Sequence, residues 1–349
     1  MGVCRLCGKR SSTISSFLNL CGKCIKEKFF EIKDYIFSIH PALKRKVTPI
    51  SEKHCNLCIN QCNLEENSKS ICGLRRIGGD NPNAEEAFLD YYYDPIPTNC
   101  VAEKFCGASG CGYPEFSYTP SVEKGYKNLA VFFYGCSFNC LFCQNYIWRK
   151  IPEKKVTVEE LIQAIDEKTS CVCFFGGDPS VQIDFTINFS YKVLKNKKRI
   201  LRICWETNGS FSSQFCEDIL KILTLTGGTI KFDLKFFNEN LNLALCGQTN
   251  KLTLKNFSFF AKNFSLRKPP LLCASTLVIP GYVDEEEILN ISRFISQFSK
   301  EIPYVLLGFW PQFYFKDLPP TSKDLMYRLY KIAKKFLKNV EIGNIHLLT

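Results

Sequence analysis

From residue 121 onward, short apolar runs rich in β-branched and aromatic residues alternate with amphipathic stretches. Such alternation predicts a parallel sheet with right-handed helical crossovers. With at least six strand–helix units and no G-x-G-x-x-G dinucleotide fingerprint, the natural form is an open or closed (β/α) barrel. The predicted strands are NLAVFFY (128–134), CVCFF (171–175), RILRICW (199–205), TIKFDLK (229–235), LCASTLVI (272–279) and YVLLG (304–308).

Three amphipathic stretches predict helices. TVEELIQAIDEK opens with Thr157 and has Glu160 three residues later, the pattern of a capping box. DEEEILNISRFISQF begins at Asp284 and repeats isoleucine on one helical face. Nearer the N-terminus, IKEKFFEIKDYIFSIH also has apolar residues at helical spacing.

These patterns divide the chain into three predicted zones, residues 1–45, 46–120 and 121–349. The middle zone is interrupted by glycine and proline, which exclude a long helix there. Because this zone has little apolar surface of its own, we expect it to depend on a bound metal for order.

Composition changes this picture mainly through cysteine. The 349 residues include 20 cysteines and only three histidines. The N-terminus lacks the apolar region of a signal peptide, and no apolar run reaches the roughly 20 residues needed to cross a bilayer. We therefore predict a cytoplasmic protein without membrane partners, in which disulfides are not expected. The C-x2-C pairs then favour zinc or iron–sulfur sites.

The charge adds less. A net charge of +11 could attract nucleic acid or an acidic protein. However, the lysines and arginines are scattered, and aromatic residues are not interleaved with them as in a nucleic-acid groove. Lysine-rich solvated helix faces are the simpler interpretation, and nucleic acid is not the expected partner.

Two C-x2-C pairs with 13 residues between them predict a zinc-ribbon-like module at the N-terminus. Four thiolates close a tetrahedron around zinc and can fold a segment too small to bury a core. Zinc is the favoured metal, although a rubredoxin-like iron centre would use the same ligands. This ribbon set consists of Cys4, Cys7, Cys21 and Cys24.

The middle zone contains another candidate metal site with the spacing C-x2-C-x3-C-x9-C. Its spacing does not distinguish zinc from a second iron–sulfur cluster. We call this group the second set; it consists of Cys55, Cys58, Cys62 and Cys72. Three further cysteines, Cys100, Cys106 and Cys111, are explained equally well as ligands or as buried free thiols.

A third group of cysteines follows the first predicted strand. The segment FFYGCSFNCLFCQN (132–145) places Cys136, Cys140 and Cys143, the triplet, in a C-x3-C-x2-C pattern. A structural zinc site and most cubane clusters take four protein ligands. Three close cysteines therefore indicate a cluster with one iron left open for a ligand that is not protein.

Polar motifs also follow the other predicted strands. Because the carboxyl ends of parallel strands meet at one rim of a barrel, side chains in these motifs are expected to share one site. The motifs are GGDP (176–179), ETNG (206–209), DLK (233–235), IPG (279–281) and FWPQF (309–313).

Taken in order over about 225 residues, these motifs resemble the radical S-adenosylmethionine (SAM) superfamily. The most similar branch is the pyruvate formate-lyase activating enzymes, with GCNFNCxFCQN, GGEP, ETNG, DLK and TLVIPGxND. This chain reads GCSFNCLFCQN, GGDP, ETNG, DLK and TLVIPGYVD, so Asp178 replaces a glutamate. The cysteine-rich front end and LPPTS (318–322) are more similar to an uncharacterised archaeal and bacterial group, the AmmeMemoRadiSam type.

The resemblance implies an α/β fold, a partial (β/α)6 TIM-like barrel behind the cysteine-rich extension. It also implies a [4Fe–4S] cluster held by the catalytic triplet, with SAM bound at the open iron. Two simpler interpretations remain for individual residues: Phe142 as core, and Asp233 with Lys235 as a structural ion pair. The implied cofactor-binding residues are Phe142, Gly176, Gly177, Asp178, Glu206, Asn208, Asp233, Lys235 and Ile279.

The resemblance further implies reductive cleavage of SAM to a 5′-deoxyadenosyl radical, which abstracts hydrogen from a backbone glycine of a glycyl-radical enzyme. An electron donor such as a ferredoxin or flavodoxin is implied as a partner. Two alternatives stay open. One is radical chemistry on a small molecule, RNA or a peptide side chain. The other is a non-catalytic zinc and iron–sulfur protein that binds RNA.

Overall fold

The computed structural model describes residues 1–43, 54–64, 69–98, 100–195 and 199–349. Its main feature is an eight-stranded sheet in the order β12-β11-β10-β9-β8-β7-β5-β4. Two small antiparallel pairs, β1 with β2 and β3 with β6, lie outside it. The strands in the described ranges are β1 (Gly2–Val3), β2 (Arg10–Ser11), β3 (Glu86–Ala87), β4 (Leu89–Pro95), β5 (Lys127–Phe133), β6 (Val156–Thr157), β7 (Thr169–Gly176), β8 (Arg202–Thr207), β9 (Ile230–Asp233), β10 (Leu272–Val278), β11 (Tyr304–Gly308) and β12 (Val340–Gly343).

Helices connect most of the parallel strands and cover the outer face of the sheet. None of those in the described ranges is both long enough and apolar enough to cross a membrane. They are α1 (Gly22–Glu27), α2 (Phe29–Ile39), α3 (Val158–Gln163), α4 (Ile183–Lys195), α5 (Cys216–Thr226), α6 (Glu239–Cys246), α7 (Lys251–Lys262), α8 (Glu285–Ser296) and α9 (Lys323–Lys334).

Local sequence signals begin two of these helices as predicted. Thr157 Oγ1 accepts the backbone N–H of Glu160 at 3.1 Å, and the Glu160 carboxylate accepts the Thr157 N–H at 2.8 Å. This capping box satisfies two N–H groups that the first turn of α3 would otherwise leave without a partner. The side chain of Asp284 caps α8 with a single hydrogen bond, which it accepts from the N–H of Glu287 at 3.1 Å.

The sheet confirms the predicted fold class, an α/β partial barrel. Its strands from β5 to β12 pair in parallel, while β4 pairs antiparallel with β5 at one edge. In the described part of the chain no pairing joins β4 to β12, so the barrel is open. Within the described ranges the parallel strands of this sheet number seven rather than six, because the short segment Val340–Gly343 adds β12 beside β11.

Strand alternation gives the barrel an inside and an outside. On β8, Trp205 faces outward and donates its indole N–H to Thr186 on α4 at 3.2 Å. Its neighbours Arg202, Cys204 and Glu206 line a cavity inside the barrel. Since side chains alternate along a strand, charged and thiol-bearing residues can occupy the interior while the outer face remains apolar.

The N-terminal module packs directly on the barrel. The Tyr282 hydroxyl accepts the N–H of Ser15 and donates to the Leu20 carbonyl, both at 3.1 Å. Gly281 has φ +82°, and a Cβ there would overlap Thr13. The glycine of the IPG motif is therefore needed where the N-terminal module docks. The division into three zones stays a prediction, and its boundary at residues 45 and 46 lies outside the described residues.

Candidate active site

A cleft of about 140 Å³ opens at the carboxyl ends of the parallel strands. Most of the residues predicted for the site line this cleft, although they come from four separate segments of the chain. The predicted residues in its lining are Cys136, Cys140, Phe142, Cys143, Gly176, Gly177, Asp178, Asn208, Asp233 and Lys235.

The loop that carries the triplet is fixed by backbone contacts with the end of α6. The N–H groups of Asn139 and Leu141 donate to the carbonyls of Cys246 and Leu245, at 2.8 and 2.9 Å. At the start of the loop, the Phe138 N–H points to Cys136 Sγ at 3.4 Å. These contacts hold the loop in place within the protein.

Burial sets the protonation of the triplet thiols. Burial raises the pKa of Cys136 well above its ordinary value, and the negative charge of Asp178 adds to this shift. Burial also raises the pKa of Cys143. Cys140 differs, because a hydrogen bond from the Cys246 thiol and the charge of Lys235 lower its pKa. Two of the three thiols therefore need a metal to become thiolates, as expected of ligands.

The two glycines of GGDP allow the end of β7 to approach the end of β5 and the start of the triplet loop. Gly176 has φ +111°, and a Cβ there would overlap the backbone of Phe133. A Cβ on Gly177 would overlap the carbonyl of Gly135, one residue before the triplet. Both residues line the cleft. Glycine is required at both positions because the backbone of a neighbouring segment occupies the place of a Cβ atom.

Asp178 joins the loops that follow β7 and β8. Its carboxylate accepts hydrogen bonds from the N–H of Ser180 at 2.8 Å, the hydroxyl of Thr207 at 2.9 Å and the N–H of Asn208 at 2.6 Å. Burial raises its pKa, although these hydrogen bonds oppose the shift. The carboxylate therefore positions Asn208, whose amide nitrogen donates to the Ser137 hydroxyl at 2.8 Å.

Asp233 and Lys235 form an ion pair at the cleft, with Lys235 Nζ 2.8 Å from the Asp233 carboxylate. The other carboxylate oxygen accepts the Ser275 hydroxyl at 2.7 Å. Burial alone would raise the pKa of Asp233, but Lys235 and Lys231 lower it to about 2. The pair is thus fully charged at neutral pH and presents a cation and an anion to the cleft.

Phe142 is buried between aromatic rings while one side of it reaches the cleft. Its ring lies 6.0 Å from that of Phe236, edge to face, and 6.2 Å from that of Phe315. Phe142 is therefore both a core residue and part of the cleft wall.

Two predicted residues lie away from the cleft lining. Glu206 is the fifth residue of β8 and points into the barrel interior, where its carboxylate pairs with Lys231. The ETNG motif therefore begins inside the strand and not after it, which turns this side chain away from the rim. Ile279 is buried, and its carbonyl accepts the N–H groups of Tyr282 and Val283 in the turn after β10.

Below the cleft, a smaller cavity of about 30 Å³ lies deeper in the barrel. We call it the lower chamber. It contains the Lys231–Glu206 pair, and Cys100 donates its thiol hydrogen to Glu206 at 3.1 Å. Two of the three unassigned cysteines, Cys100 and Cys106, thus face this chamber, whereas Cys111 does not. Five cysteines line it: Cys100, Cys106, Cys171, Cys173 and Cys204.

The ribbon set has the geometry of a single-ion site. Its four sulfurs all lie within 4.8 Å of one another, and those of Cys7 and Cys21 are 3.9 Å apart. A tetrahedral zinc with bonds of about 2.3 Å separates its sulfurs by about 3.8 Å, so the arrangement fits the ion. Burial alone would raise the pKa of Cys4, but the N–H groups of Cys7 and Cys21 lower it to about 6.

The second set and the triplet are spaced differently from the ribbon set. Among the residues that the structure describes, no other group of three or more cysteine, histidine or carboxylate ligands has all its ligand atoms within 4.8 Å. In a cubane cluster each thiolate binds a different iron, so sulfur atoms lie further apart than around one ion. The triplet therefore lacks the geometry of a single-ion site, which agrees with the cluster that its sequence pattern implies.

Cys246 is a site residue that the sequence did not reveal. Its thiol hydrogen-bonds to Cys140, and its carbonyl holds the triplet loop. It stands at the end of α6, far from the triplet along the chain and outside any cysteine pattern. Only the tertiary fold brings it to the site, and no local signal could have identified it.

The chain is similar to several activating enzymes over its barrel region. A protein from Methanocaldococcus jannaschii, provisionally named a glycyl-radical enzyme activating enzyme, is 29% identical over 217 residues, which cover 59% of this chain and 77% of that protein. The pyruvate formate-lyase 1-activating enzyme of Escherichia coli is 25% identical over 228 residues, with 59% and 87% covered. An uncharacterised M. jannaschii protein matches at 24% over 306 residues, with 83% and 81% covered.

Solved structures resemble the fold more remotely. Streptococcus suis SuiB bound to S-adenosylmethionine matches with a TM-score of 0.44 at 16% identity, covering 63% of this chain. This chain spans about half of SuiB, 47% of its length. A domain of a Bacteroides vulgatus pyruvate-formate lyase-activating enzyme matches with a TM-score of 0.41 at 18% identity, covering 50% of this chain and 98% of that domain.

Most of the region that builds the cleft also matches a protein-family model. Residues 130–295, from β5 through α8, match the family described as the radical SAM superfamily. The matched region contains the triplet and the GGDP, ETNG and DLK motifs. Over these residues, just under half of its length, the chain is therefore similar to the radical SAM superfamily.

Proposed function

We propose that this protein is a radical SAM enzyme that activates a glycyl-radical enzyme. The observation that carries the proposal is one cleft lined by the triplet together with Asp178, Asn208 and the Asp233–Lys235 pair. Cys136, Cys140 and Cys143 would hold the [4Fe–4S] cluster. When bound, the cluster supplies one electron that breaks the carbon–sulfur bond of SAM, giving methionine and a 5′-deoxyadenosyl radical.

The side chains around the triplet would bind and orient the cofactor. Lys235 offers a cation for the methionine carboxylate, and Asp233 keeps that cation at the cleft through the 2.8 Å ion pair. Asn208 is fixed between Asp178 and Ser137 and would hold the first ligand, Cys136, since its amide nitrogen lies 3.7 Å from the sulfur. The apolar wall at Phe142 would help to exclude water from the radical.

Anaerobic reconstitution tests the radical SAM step. The protein is loaded with iron and sulfide, reduced, and given SAM, and 5′-deoxyadenosine is measured. We expect production by the wild type and none by Cys140→Ala, because one ligand of the cluster is lost. Cys216→Ala is the matched control, since Cys216 is buried on α5 outside every cysteine group, and it should remain active. Equal 5′-deoxyadenosine production by Cys140→Ala and the wild type would refute the proposal.

The glycyl-radical step needs a second experiment. Three features support it: the order of the motifs, the relatives named as activating enzymes, and the position of the cleft at the barrel rim. In this step the 5′-deoxyadenosyl radical takes one hydrogen atom from a backbone glycine, giving 5′-deoxyadenosine and a glycyl radical. Incubation with a glycyl-radical enzyme from the same cell should produce a glycyl-radical EPR signal. Turnover of SAM without this signal would favour a small molecule, RNA or a peptide side chain as substrate.

A further inference from the structure

The second set lies against the loop that carries the triplet. The Asn60 amide nitrogen is 3.8 Å from Cys58 Sγ and donates to the Ser137 carbonyl at 2.7 Å. The N–H of Ile59 donates to the Ser210 carbonyl at 2.9 Å, and the Ser210 hydroxyl donates to that of Ser137 at 2.6 Å. Ser137 is adjacent to Cys136 in the chain. One direct hydrogen bond and a second route through Ser210 therefore join the segment of Cys58 to Ser137, the residue next to the first ligand of the triplet.

Three sulfurs of the second set have polar hydrogen-bonding neighbours. The Ile71 N–H points to Cys62 Sγ at 3.3 Å, and the Ser70 hydroxyl lies 3.1 Å from Cys72 Sγ. The other three thiols all act electrostatically on Cys58. Four thiols that share one neighbourhood, two of them facing N–H donors, fit the environment of metal-bound thiolates, whose negative charge such donors stabilise.

Arg75 provides an independent indication of an anionic ligand. This arginine is 7% exposed, and its Nη1 donates to the Val181 carbonyl at 2.7 Å. Its Nη2 is buried and has no hydrogen-bond partner within the described part of the chain. The guanidinium lies close enough to Cys55 to act on its sulfur electrostatically. Asp184, whose Oδ1 is also buried without a hydrogen-bond partner in the described part of the chain, interacts electrostatically with this guanidinium and supplies one negative charge. The Nη2 donor still has no acceptor, and a cluster held by four thiolates would offer one.

The spacing of the sulfurs distinguishes between the two metals that the sequence left open. The ribbon set meets the mutual distance of a single ion, but no three sulfurs of the second set do so among the described residues. The three sulfurs of the triplet do not meet it either. A cluster with one iron for each thiolate fits such spacing better than one tetrahedral zinc does.

We propose that Cys55, Cys58, Cys62 and Cys72 bind a second [4Fe–4S] cluster, which passes single electrons to the site of the triplet. An external one-electron carrier reduces this cluster by one electron, and the cluster returns to its oxidised state when the electron moves on; no bond forms and no proton is transferred. The transfer role rests on the proposed function, whereas the cluster itself does not.

Metal and sulfide analysis of anaerobically reconstituted variants tests the cluster without any measurement of activity. The wild type should hold about eight irons, and the variant Cys136→Ala/Cys140→Ala/Cys143→Ala about four. That triplet variant should still show the Mössbauer and EPR signals of a [4Fe–4S] cluster. Cys58→Ala/Cys72→Ala should also keep about four irons, now bound by the triplet. Cys216→Ala is the control and should keep the wild-type content.

A triplet variant that binds no iron but carries zinc beyond the one ion of the ribbon set, or no metal beyond it, overturns the proposal. Arg75→Met covers the case in which the double alanine variant fails to fold, because it keeps all four ligands. It should retain the iron and shift the reduction potential of the second cluster to a lower value, since a nearby positive charge is lost. An unchanged potential would refute the role assigned to Arg75.

Electron transfer is tested with Cys58→Ala/Cys72→Ala. Given a small chemical reductant, this variant should still cleave SAM, but it should lose cleavage when a ferredoxin or flavodoxin is the donor. Equal activity with the protein donor would overturn the relay. If the wild type cleaves no SAM with either reductant while the triplet variant keeps its iron, the proposed function fails and the second cluster stands.

Discussion

The two ends of the barrel interior contain similar side chains in different arrangements. The cleft at the carboxyl ends of the strands holds the triplet and the Lys235–Asp233 pair, and the lower chamber holds five cysteines and the Lys231–Glu206 pair. The triplet lies on a loop, whereas three of the chamber's cysteines project from β7 and β8 at alternate positions. Residue type alone therefore does not identify the site; its place at the end of a strand does.

The two ends also differ in how their charges are compensated. Lys231 and Asp233 are two residues apart on β9 and both face the interior, so the charged groups alternate in sign from Glu206 through Lys231 and Asp233 to Lys235. In the lower chamber every charge has a protein partner. At the cleft, Lys235 has donors that the single carboxylate of Asp233 does not use up, which leaves capacity for a ligand. We expect changes at the lower end to affect stability, and changes at the upper end to affect cofactor binding.

The largest effect is expected from breaking the buried pair below the chamber. Arg202 donates to both carboxylate oxygens of Glu123, at 2.9 and 2.6 Å, and both residues are almost fully buried. Glu123→Gln leaves the guanidinium charge without compensation. We expect a loss of about 3–5 kcal/mol in the free energy of unfolding, measured by urea denaturation.

An exposed pair at the same end of the barrel is the control. Lys104 Nζ lies 2.5 Å from Glu341 Oε2 at the surface. Glu341→Gln should cost less than about 1 kcal/mol. Glu123→Gln should cleave SAM at the wild-type rate per folded molecule. A stable Glu123→Gln protein that has lost SAM cleavage would contradict the assignment of stability to the lower end and cofactor binding to the upper end.

A smaller effect, on binding, is expected from the two interior lysines. Lys235→Met removes the cation proposed for the SAM carboxylate and should weaken SAM binding by about 1.5–3 kcal/mol, roughly ten- to hundredfold. Lys231→Met leaves Glu206 without its partner in the lower chamber, so it should lower stability and leave SAM affinity unchanged. Both are measured by titration of the reconstituted, unreduced protein with SAM. Equal weakening by the two substitutions would contradict the comparison.

The features that the sequence predicted correctly are those with local causes. The capping box at Thr157 and the strand Tyr304–Gly308 depend on neighbouring residues, and both are as expected. Edge strand β4 was not predicted, because its tyrosines at 91–93 are all partly exposed and show no clear alternation. An edge strand has one free side and needs less apolar surface, so its pattern is weaker.

The candidate site shows the same limit. The triplet and the DLK motif could be placed at the rim because each follows or ends a strand. Glu206 could not be placed, because a shift of one residue in the end of β8 decides whether its side chain faces the rim or the interior. Cys246 could not be found at all, since the contact with Cys140 depends on how α6 packs against the triplet loop.

Cys246 provides the smallest expected effect and the finest test of the upper end. Its thiol donates a hydrogen bond to Cys140, and such bonds withdraw negative charge from a cluster ligand and raise the reduction potential. Cys246→Ala removes a bond of about 1 kcal/mol, so the potential of the triplet's cluster should fall by roughly 40 mV, with iron content and SAM cleavage retained. Potentiometric EPR titration of this variant in the Cys58→Ala/Cys72→Ala background measures the shift on one cluster. If Cys246 were instead a fourth ligand, the wild type would bind no SAM at the cluster and the variant would gain that binding. That result would remove the reason why three cysteines, and not four, stand in the loop after β5.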